Sequence, residues 1–427
     1  MNAMNHDAPR SAGTDARAES HADATQRALA RLYAVRPHWH TVARARDAVG
    51  LPDFTLLHAG PPYADPCNPA PPVLSSAVLC CLYEKWATTE AQAEQMIASG
   101  QVKLVSAQSF GVVTPLAAVV SPSSTLVEVA DASASNAAHL SAAPRRAWSL
   151  LGSGAGAQIR FGSRNPQVLA RLAWRDTVLA SHLAAALARI GPIDLFPLAA
   201  AGLADGDDLH ARTTSATAAL RAQLLPFVDE PSVAAMLADT PLFFLTLWMA
   251  ACHLMMSAAA NHADDDDNDS AASTLVVALA GNGREVGVRL AGTPSVWTTH
   301  AAAAPAGPRL DSVAAHLPVA PLTGDSGVID AAGFGAHAFA LAPEPASAFA
   351  AWLPAGWRDA QPALLAGQHP AFDGRLHCAL DAAAVVRRGI EPLAAIAMIG
   401  ADGHTGLIGR GVYAAPVALF EAALQAR

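Results

Sequence analysis

The chain has 427 residues, of which 52% are hydrophobic and 15% are charged, so it is long and apolar enough to form two or three domains with buried cores. Its formal net charge is −9 and it has no long run of Lys or Arg, which argues against a nucleic-acid-binding face and against a polybasic membrane-surface segment. Five cysteines without a C-x-x-C spacing favour reduced core thiols over a disulfide framework or a zinc site.

The first section of the chain alternates helix and strand signals. Residues 1–24 are small and polar and lack the apolar stretch of a secretory signal, so they predict a disordered tail on a cytoplasmic protein. Residues 25–162 predict an α/β domain. Its helices are expected at 25–37, 72–87 and 88–100, and its strands at 54–58, 102–107 and 124–130. Thr88 or Thr89 is the expected cap of the third helix.

Residues 163–262 predict a helical domain, with successive helices at 165–190, 214–227, 230–239 and 241–260. Thr240 and Pro241 have the pattern of an N-cap and first helical position for the last of these. This last helix is uncharged and about long enough to span a bilayer. Its Ala, Ser, Thr and His content and its acidic flank favour a buried core helix, and a membrane span is the alternative.

Residues 263–272 are acidic and lack the Gly and Glu of a calcium-binding EF-hand, so they predict a solvated linker. Residues 273–427 predict a second α/β domain, which opens with strands at 273–281 and 285–292 joined by a hairpin turn at 282–284. The predicted fold class is therefore α/β (α+β) and multidomain, with two α/β sections flanking a mainly helical domain.

The sequence Gly-Asp-Ser-Gly at 324–327 is also found around the nucleophile of secreted serine peptidases. His316 is only ten residues before Ser326, the Gly-Pro continuation is missing, and the chain is rich in helix signals, so a trypsin-like site is not expected. Two segments, 152–160 and 324–335, are rich in glycine, which lets backbone amides approach a phosphate or carboxylate closely enough to bind it. The alternative is that these glycines only permit turns.

Nine short motifs, in this order, resemble the YlbE-like (AllG) family from about residue 34 to residue 424. They are RPHW, LLHAGPP, CLYEKWA, RFG, DGDDLHAR, GNGREVGVRLAG, GDSGVIDAAGFGAHA, GIEPLAAIAMIG and IGRGVYAAPVALFEAAL. The resemblance implies an intracellular subunit of the oxamate carbamoyltransferase system of allantoin breakdown, which works with an FdrA-like protein subunit in an oligomeric complex. The reaction implied is oxalurate plus phosphate giving oxamate plus carbamoyl phosphate, without a metal or redox cofactor. The ligands implied are therefore small anions, with no nucleic acid and no membrane as partner.

The chain departs from the family pattern at several polar positions. Residues 108–116, QSFGVVTPL, replace a His-His-x-Asn-Ala-Val-Gly-Pro-Met pattern, Thr213 replaces an Asn, and Asp330 replaces a Glu. Gly152-Ser153-Gly154 stands where the family has Asn-Glu-Gly. These departures leave open a non-catalytic structural or regulatory subunit with a degenerate site. An unrelated hydrolase that uses Ser326 is a third hypothesis.

Residue type and turn placement select the candidate site residues. The candidate catalytic residues are His58, His210 and Asp330. The candidate substrate- and anion-binding residues are Arg160, Arg212, Asn282, Arg284, Gly324, Asp325 and Ser326.

Overall fold

The computed structural model describes residues 12–133, 145–260 and 273–427. The helices are α1 Ala12–Ala34, α2 Ala45–Ala48, α3 Pro71–Tyr83, α4 Glu90–Ala98, α5 Gln167–Trp174, α6 Ala180–Ile190, α7 Leu195–Ala204, α8 Thr214–Leu224, α9 Pro231–Asp239, α10 Phe244–Ala259, α11 Gly327–Ala331, α12 Pro343–Ala348, α13 Trp357–Ala360, α14 Ala382–Arg388 and α15 Val417–Gln425. The strands are β1 Pro37–Arg44, β2 Thr55–His58, β3 Lys103–Ser106, β4 Val112–Val113, β5 Thr125–Asp131, β6 Arg146–Leu150, β7 Ile193–Asp194, β8 Val276–Asn282, β9 Glu285–Leu290, β10 Thr293–Ala301, β11 Thr323–Gly324, β12 Leu365–Gln368, β13 His377–Leu380, β14 Leu393–Ile399 and β15 Leu407–Ala414. The predicted multidomain α/β class is confirmed.

The N-terminal section contains a five-stranded sheet of order β4-β6-β5-β1-β7, in which the β4–β6 pair is parallel and the other pairs are antiparallel. Every residue of β5 is buried, because the strand lies inside the sheet and α10 packs on it. Beside the sheet, β2 and β3 pair in parallel through the α3–α4 crossover. Thr89, one of the two residues predicted as the cap, caps α4 by accepting a hydrogen bond from the amide of Gln92.

Helix α10 is the centre of the fold. It contacts β1, β5 and β6 of the five-stranded sheet, α1, and also β8 and α11 of the C-terminal section, and it is buried along almost its whole length. No single helix among the described residues is long and apolar enough to span a bilayer; α9 and α10 pass that test of length and composition only together, and they are bent by 73°.

The predicted start of the apolar helix is wrong by three residues. Helix α10 begins at Phe244, and the hydroxyl of Thr240 donates to the carbonyl of Met236 at 2.6 Å, at the end of α9. Residues 241–243 form a turn between the two helices. A Thr-Pro pair can therefore end one helix as well as begin the next. The sequence also failed to predict α7 and the short strand β7.

The C-terminal section contains the antiparallel sheet β10-β9-β8-β11 and the hairpins β12–β13 and β14–β15. The predicted 282–284 hairpin is confirmed: the side-chain oxygen of Asn282 accepts from the amides of Arg284 and Glu285, and Gly283 has φ +85°.

The two largest clusters of buried apolar residues each draw on all three sections of the chain. The domain boundaries therefore stay a prediction. The predicted acidic linker at 263–272 lies wholly outside the described residues, and residues 12–24, predicted as part of the disordered tail, belong to α1. All five cysteines lie in the described ranges and are free thiols.

Candidate functional site

A cavity of about 130 Å³ lies where several parts of the chain meet. They include the glycine-rich segment that ends at Arg160, the loop that carries His210, the turn at Ser326 and the β14–β15 hairpin. Three of the residues selected from the sequence, Arg160, His210 and Ser326, therefore share one cavity. Its other lining residues, mostly apolar, are Pro115, Leu116, Phe161, Ala211, Leu242, Leu245, Leu310, Phe349, Ile396, Ala397, Leu407, Gly409 and Arg410.

Two buried aspartates shape the loop that presents His210. The carboxylate of Asp208 accepts hydrogen bonds from the amides of His210, Ala211 and Arg212 at 3.2, 2.9 and 2.7 Å. Burial raises the pKa of Asp208 to about 6, against the lowering effect of these amides. Asp207 accepts from two amides in the first turn of α8 and from the guanidinium of Arg212 at 2.7 Å. The aspartates of the DGDDLHAR motif are thus used to fold this loop.

The side chain of His210 is held by Asp330, from the glycine-rich motif. Nδ1 of His210 lies 2.7 Å from Oδ2 of Asp330, while Oδ1 accepts from the amides of Ala336 and Ala395 at 2.8 and 3.0 Å. Since the carboxylate is the acceptor, Nδ1 carries a proton, and Nε2 is the nitrogen available to a ligand. Two of the three candidate catalytic residues therefore form one buried pair at the cavity.

Arg160 brings an uncompensated positive charge to the cavity wall. Its guanidinium lies 4.9 Å from the ring centre of Phe161, and its Nε is buried without a hydrogen-bond partner. Within the described ranges no carboxylate forms a salt bridge with it, and burial lowers its pKa to about 10. A guanidinium in this state favours an anion beside it.

Arg160 also lines a second, smaller cavity of about 30 Å³, which we call the inner chamber. Its wall includes residues of the first glycine-rich segment and the first turn of α10. The lining residues are Pro115, Leu150, Leu151, Gly152, Ser153, Gly154, Gln158, Ile159, Arg160, Arg175, Thr240, Leu242, Phe243 and Thr246. Because Pro115, Arg160 and Leu242 border both spaces, the inner chamber adjoins the cavity.

Asp325 and Gly324 serve the fold of the second glycine-rich segment. Oδ1 of Asp325 accepts from the amide of Gly60 and from Nε2 of Gln108 at 3.0 and 2.7 Å, and Oδ2 accepts from the amide of Thr114 at 2.9 Å. Gly324 has φ +126°, and a Cβ there would lie 2.7 Å from the amide nitrogen of Leu116. The carboxylate of Asp325 is directed to other segments of the chain, and only Ser326 of this triplet lines the cavity.

Four other selected residues do not line the cavity. Nδ1 of His58 lies 2.8 Å from the carbonyl of Ala59, and burial lowers the pKa of His58 to about 4. Asn282 is occupied by its own turn and by the carbonyl of Pro61, and Arg284 donates to Asn68 and Pro69. Arg212 pairs with Asp207, as described above. The interactions seen for these side chains connect parts of the fold.

Ser326 and His210 line one cavity and Asp330 holds the imidazole, which invites comparison with a catalytic triad. A triad needs a hydrogen bond between the hydroxyl and the imidazole. Among the described residues, Ser326 forms no such bond with His210 or with His316, and His316 is exposed. The structure therefore gives no support to a serine nucleophile.

The structure defines a multidomain α/β protein with a cavity lined by Arg160, His210 and Ser326, and the comparisons with known proteins give the family. Residues 102–326 match the family described as oxamate carbamoyltransferase subunit AllG. The chain is 30% identical over 429 residues to the oxamate carbamoyltransferase subunit AllG of Escherichia coli (strain K12). This alignment covers 95% of the chain and 97% of that protein. The chain belongs to the AllG family, as its motifs indicated.

Two further proteins resemble the chain over most of its length. The uncharacterized protein YahG of Escherichia coli (strain K12) is 27% identical over 427 residues, with 95% of this chain and 86% of that protein covered. A crystal structure of a conserved protein of unknown function from Enterococcus faecalis V583 aligns with a TM-score of 0.83 at 23% identity, over 96% of this chain and 98% of that one. This second likeness shows the fold.

Proposed function

We propose that the chain is a carbamoyltransferase subunit that binds oxalurate or oxamate, with phosphate as the second substrate, in the cavity and the inner chamber. In this reaction an oxygen of hydrogen phosphate forms a bond to the carbamoyl carbon of oxalurate. The C–N bond to the oxamate nitrogen then breaks, and the phosphate proton ends on that nitrogen. The products are carbamoyl phosphate and oxamate, and the chain acts in the cytoplasm with an FdrA-like subunit.

The observation that carries this proposal is that Arg160 and His210 line one cavity. Arg160 supplies the charge that a carboxylate or phosphate requires. Nε2 of His210, with Nδ1 held by Asp330, is the group that takes the phosphate proton and returns it to the leaving nitrogen. Donors at the carbamoyl oxygen stabilise the charge that develops there, and the hydroxyl of Ser326 is the candidate for this role.

The test is phosphorolysis of oxalurate by the protein co-purified with its FdrA-like partner, with carbamoyl phosphate as the measured product. We expect Arg160→Met and His210→Gln to lower the rate by about 10²-fold or more. Arg284→Met is the matched control, because Arg284 lies outside the cavity. Absence of carbamoyl phosphate from the intact wild-type complex would overturn the enzymatic proposal.

A non-catalytic subunit is the competing function, and one observation favours it. Gly152 and Ser153, which stand where the family pattern has Asn and Glu, line the inner chamber, so two polar groups of that pattern are missing from its wall. Thermal unfolding of the isolated chain with oxamate or phosphate discriminates the two functions, since a ligand that binds only the folded state raises the melting temperature. A non-catalytic scaffold would respond to its protein partner alone.

A further inference from the structure

We propose that the inner chamber is an oxyanion subsite, which holds one carboxylate or phosphate group while the rest of the ligand lies in the cavity beside His210. The proposal rests on the proposed function for the identity of the ligand, but the site itself is argued from charge, hydrogen-bonding groups and space. A chamber of about 30 Å³ has room for one compact group and not for a whole substrate molecule.

The charges at the chamber leave one cation without a partner. Arg175 lies on the wall but is paired with Asp176 through two hydrogen bonds of 2.7 and 2.8 Å, so the pair carries no net charge. Arg160 has no such partner within the described ranges. A single oxyanion in the chamber would balance Arg160 and relieve the cost of its desolvation.

Thr246, in the first turn of α10, adds a hydrogen-bond donor to the same wall. The Thr246 side chain is only 5% exposed and lines the chamber, and none of the described residues forms a hydrogen bond with its hydroxyl. The first turn of α10 begins at Phe244, beside the chamber; its N-cap residue makes no side-chain cap, while the amide of Phe244 donates to the hydroxyl of Thr217 and that of Leu245 to the carbonyl of Leu242. The positive end of a helix dipole favours an anion at such a position.

Gly152 leaves space that the protein itself does not need. A Cβ at Gly152 would lie 3.6 Å from Cδ2 of Phe243 and 3.9 Å from Oγ1 of Thr246, which are ordinary contacts, and its φ is one that other residues adopt. By contrast, Gly154 has φ +100° and a Cβ there would lie 2.9 Å from Cγ of Met236. The fold thus requires glycine at position 154, whereas at position 152 the missing side chain enlarges the chamber.

The glycine-rich segment is held in place around this space. Nη1 of Arg171 donates to the carbonyl of Ser153 at 2.6 Å, Nε2 of Gln158 donates to the carbonyl of Gly154, and the amide of Leu151 donates to the carbonyl of Thr125 at 3.0 Å. These anchors come from α5, from the segment itself and from β5. The chamber is therefore pre-formed, which reduces the ordering cost of binding.

The experiment is calorimetric titration of the full chain with oxamate and, separately, with inorganic phosphate. Two variants alter the chamber: Thr246→Val removes the hydroxyl at constant shape, and Gly152→Ala places a methyl group in the space. Thr125→Val is the matched control, because Thr125 is also a buried threonine whose hydroxyl has no partner among the described residues, and it does not line the chamber.

We expect Thr246→Val to weaken binding of one oxyanion about tenfold, as for a hydrogen bond to a charged group, and Gly152→Ala to weaken it further. Thr125→Val should bind as the wild type does. Loss confined to oxamate identifies the substrate carboxylate as the occupant, and loss confined to phosphate identifies the second substrate; both results support the subsite.

Equal affinities for wild type, Thr246→Val and Gly152→Ala, with either probe, would overturn the subsite. This outcome is separable from failure of the proposed function. A complex that forms carbamoyl phosphate equally well with all three chains refutes the chamber alone. An inactive wild-type complex whose oxyanion binding depends on Thr246 refutes the reaction alone.

Discussion

His210 and Asp330 are 120 positions apart in the chain, and their side chains meet at 2.7 Å in a buried contact at the wall of the cavity. Each is fixed by its own loop: backbone amides surround Asp330, and Asp208 folds the turn around His210. The orientation of the imidazole is therefore set by two distant segments, which gives the DGDDLHAR and GDSGVIDAAGFGAHA motifs a common physical purpose.

Asp330→Asn tests whether this pair sets the tautomer of His210. The asparagine oxygen can still accept from the amides of Ala336 and Ala395, and its NH₂ would then face Nδ1, so the ring proton moves to Nε2. We expect the rate of carbamoyl phosphate formation to fall about 10²-fold or more with little change in KM. Nitrogen NMR of the His210 ring, assigned with His210→Gln, should show the proton on the other nitrogen.

The matched control is Asp53→Asn, at an exposed carboxylate that pairs with Arg46 on the surface. It should change neither the spectrum nor the rate. If Asp330→Asn keeps the wild-type tautomer and rate, Asp330 serves packing alone.

Substitution of Arg160 and substitution of Arg175 are expected to have different effects on the free energy of unfolding. Arg175→Met leaves Asp176 as a buried charge without its partner, so we expect a loss of about 3–5 kcal/mol in the free energy of unfolding. Arg160→Met removes a cation that no carboxylate of the described residues balances, so the free energy of unfolding should stay within about 1 kcal/mol or rise. Urea unfolding of both variants measures this. Comparable destabilisation by the two would mean that Arg160 has an internal role in the fold and is not kept for a ligand.

Local signals in the sequence predicted several elements between residues 25 and 292, because turns and caps depend on neighbouring residues. The 282–284 hairpin and the Thr89 cap follow from side-chain hydrogen bonds to amides two or three residues away. The predicted start of α10 was wrong for the same reason. A threonine hydroxyl can bond forward to an amide as a cap or backward to a carbonyl, as Thr240 does to Met236, and only the tertiary structure decides which bond forms.

The site was predictable only in part. Arg160, His210 and Asp330 carry chemistry that residue type reveals, whereas their meeting requires the fold. Asn282, Arg212 and Asp325 have the same chemistry but are satisfied by other groups of the chain, and sequence alone does not separate the two cases. The apolar wall of the cavity was missed because leucine and isoleucine at a site look like core residues; of these residues only Ile396 lies within a family motif.

His58 gives a prediction about pH. Its pKa is lowered from 6.5 to about 4 by burial, so the folded state holds it neutral while the unfolded state protonates it below pH 6.5. Its contribution to stability is therefore complete above pH 6.5 and is lost as the pH falls towards 4, by roughly 3 kcal/mol in total. In His58→Leu the free energy of unfolding, measured by urea titration at a series of pH values, should fall less steeply as the pH decreases over this range. The difference in slope should correspond to the uptake of about one proton fewer on unfolding. An unchanged slope would contradict a neutral, buried His58.

Alanine substitutions at Gly335 and Gly389 distinguish the cost of backbone strain from the cost of crowding at the His210–Asp330 pair. Both have left-handed backbones, with φ +59° and φ +63°. A Cβ at Gly389 meets no atom within 4 Å, so Gly389→Ala should cost only the conformational strain of about 1 kcal/mol. A Cβ at Gly335 would lie 2.2 Å from Oδ1 of Asp330 and 3.1 Å from Cβ of His210. We therefore expect Gly335→Ala to lower the free energy of unfolding, measured by heat or urea, by at least about 2 kcal/mol more than Gly389→Ala does, because Asp330 must move.

Since this movement also breaks the contact with His210, the NMR signal of the His210 ring should change in Gly335→Ala and stay unchanged in Gly389→Ala. Equal stability and equal spectra for the two variants would show that the turn at Gly335 does not hold the pair together.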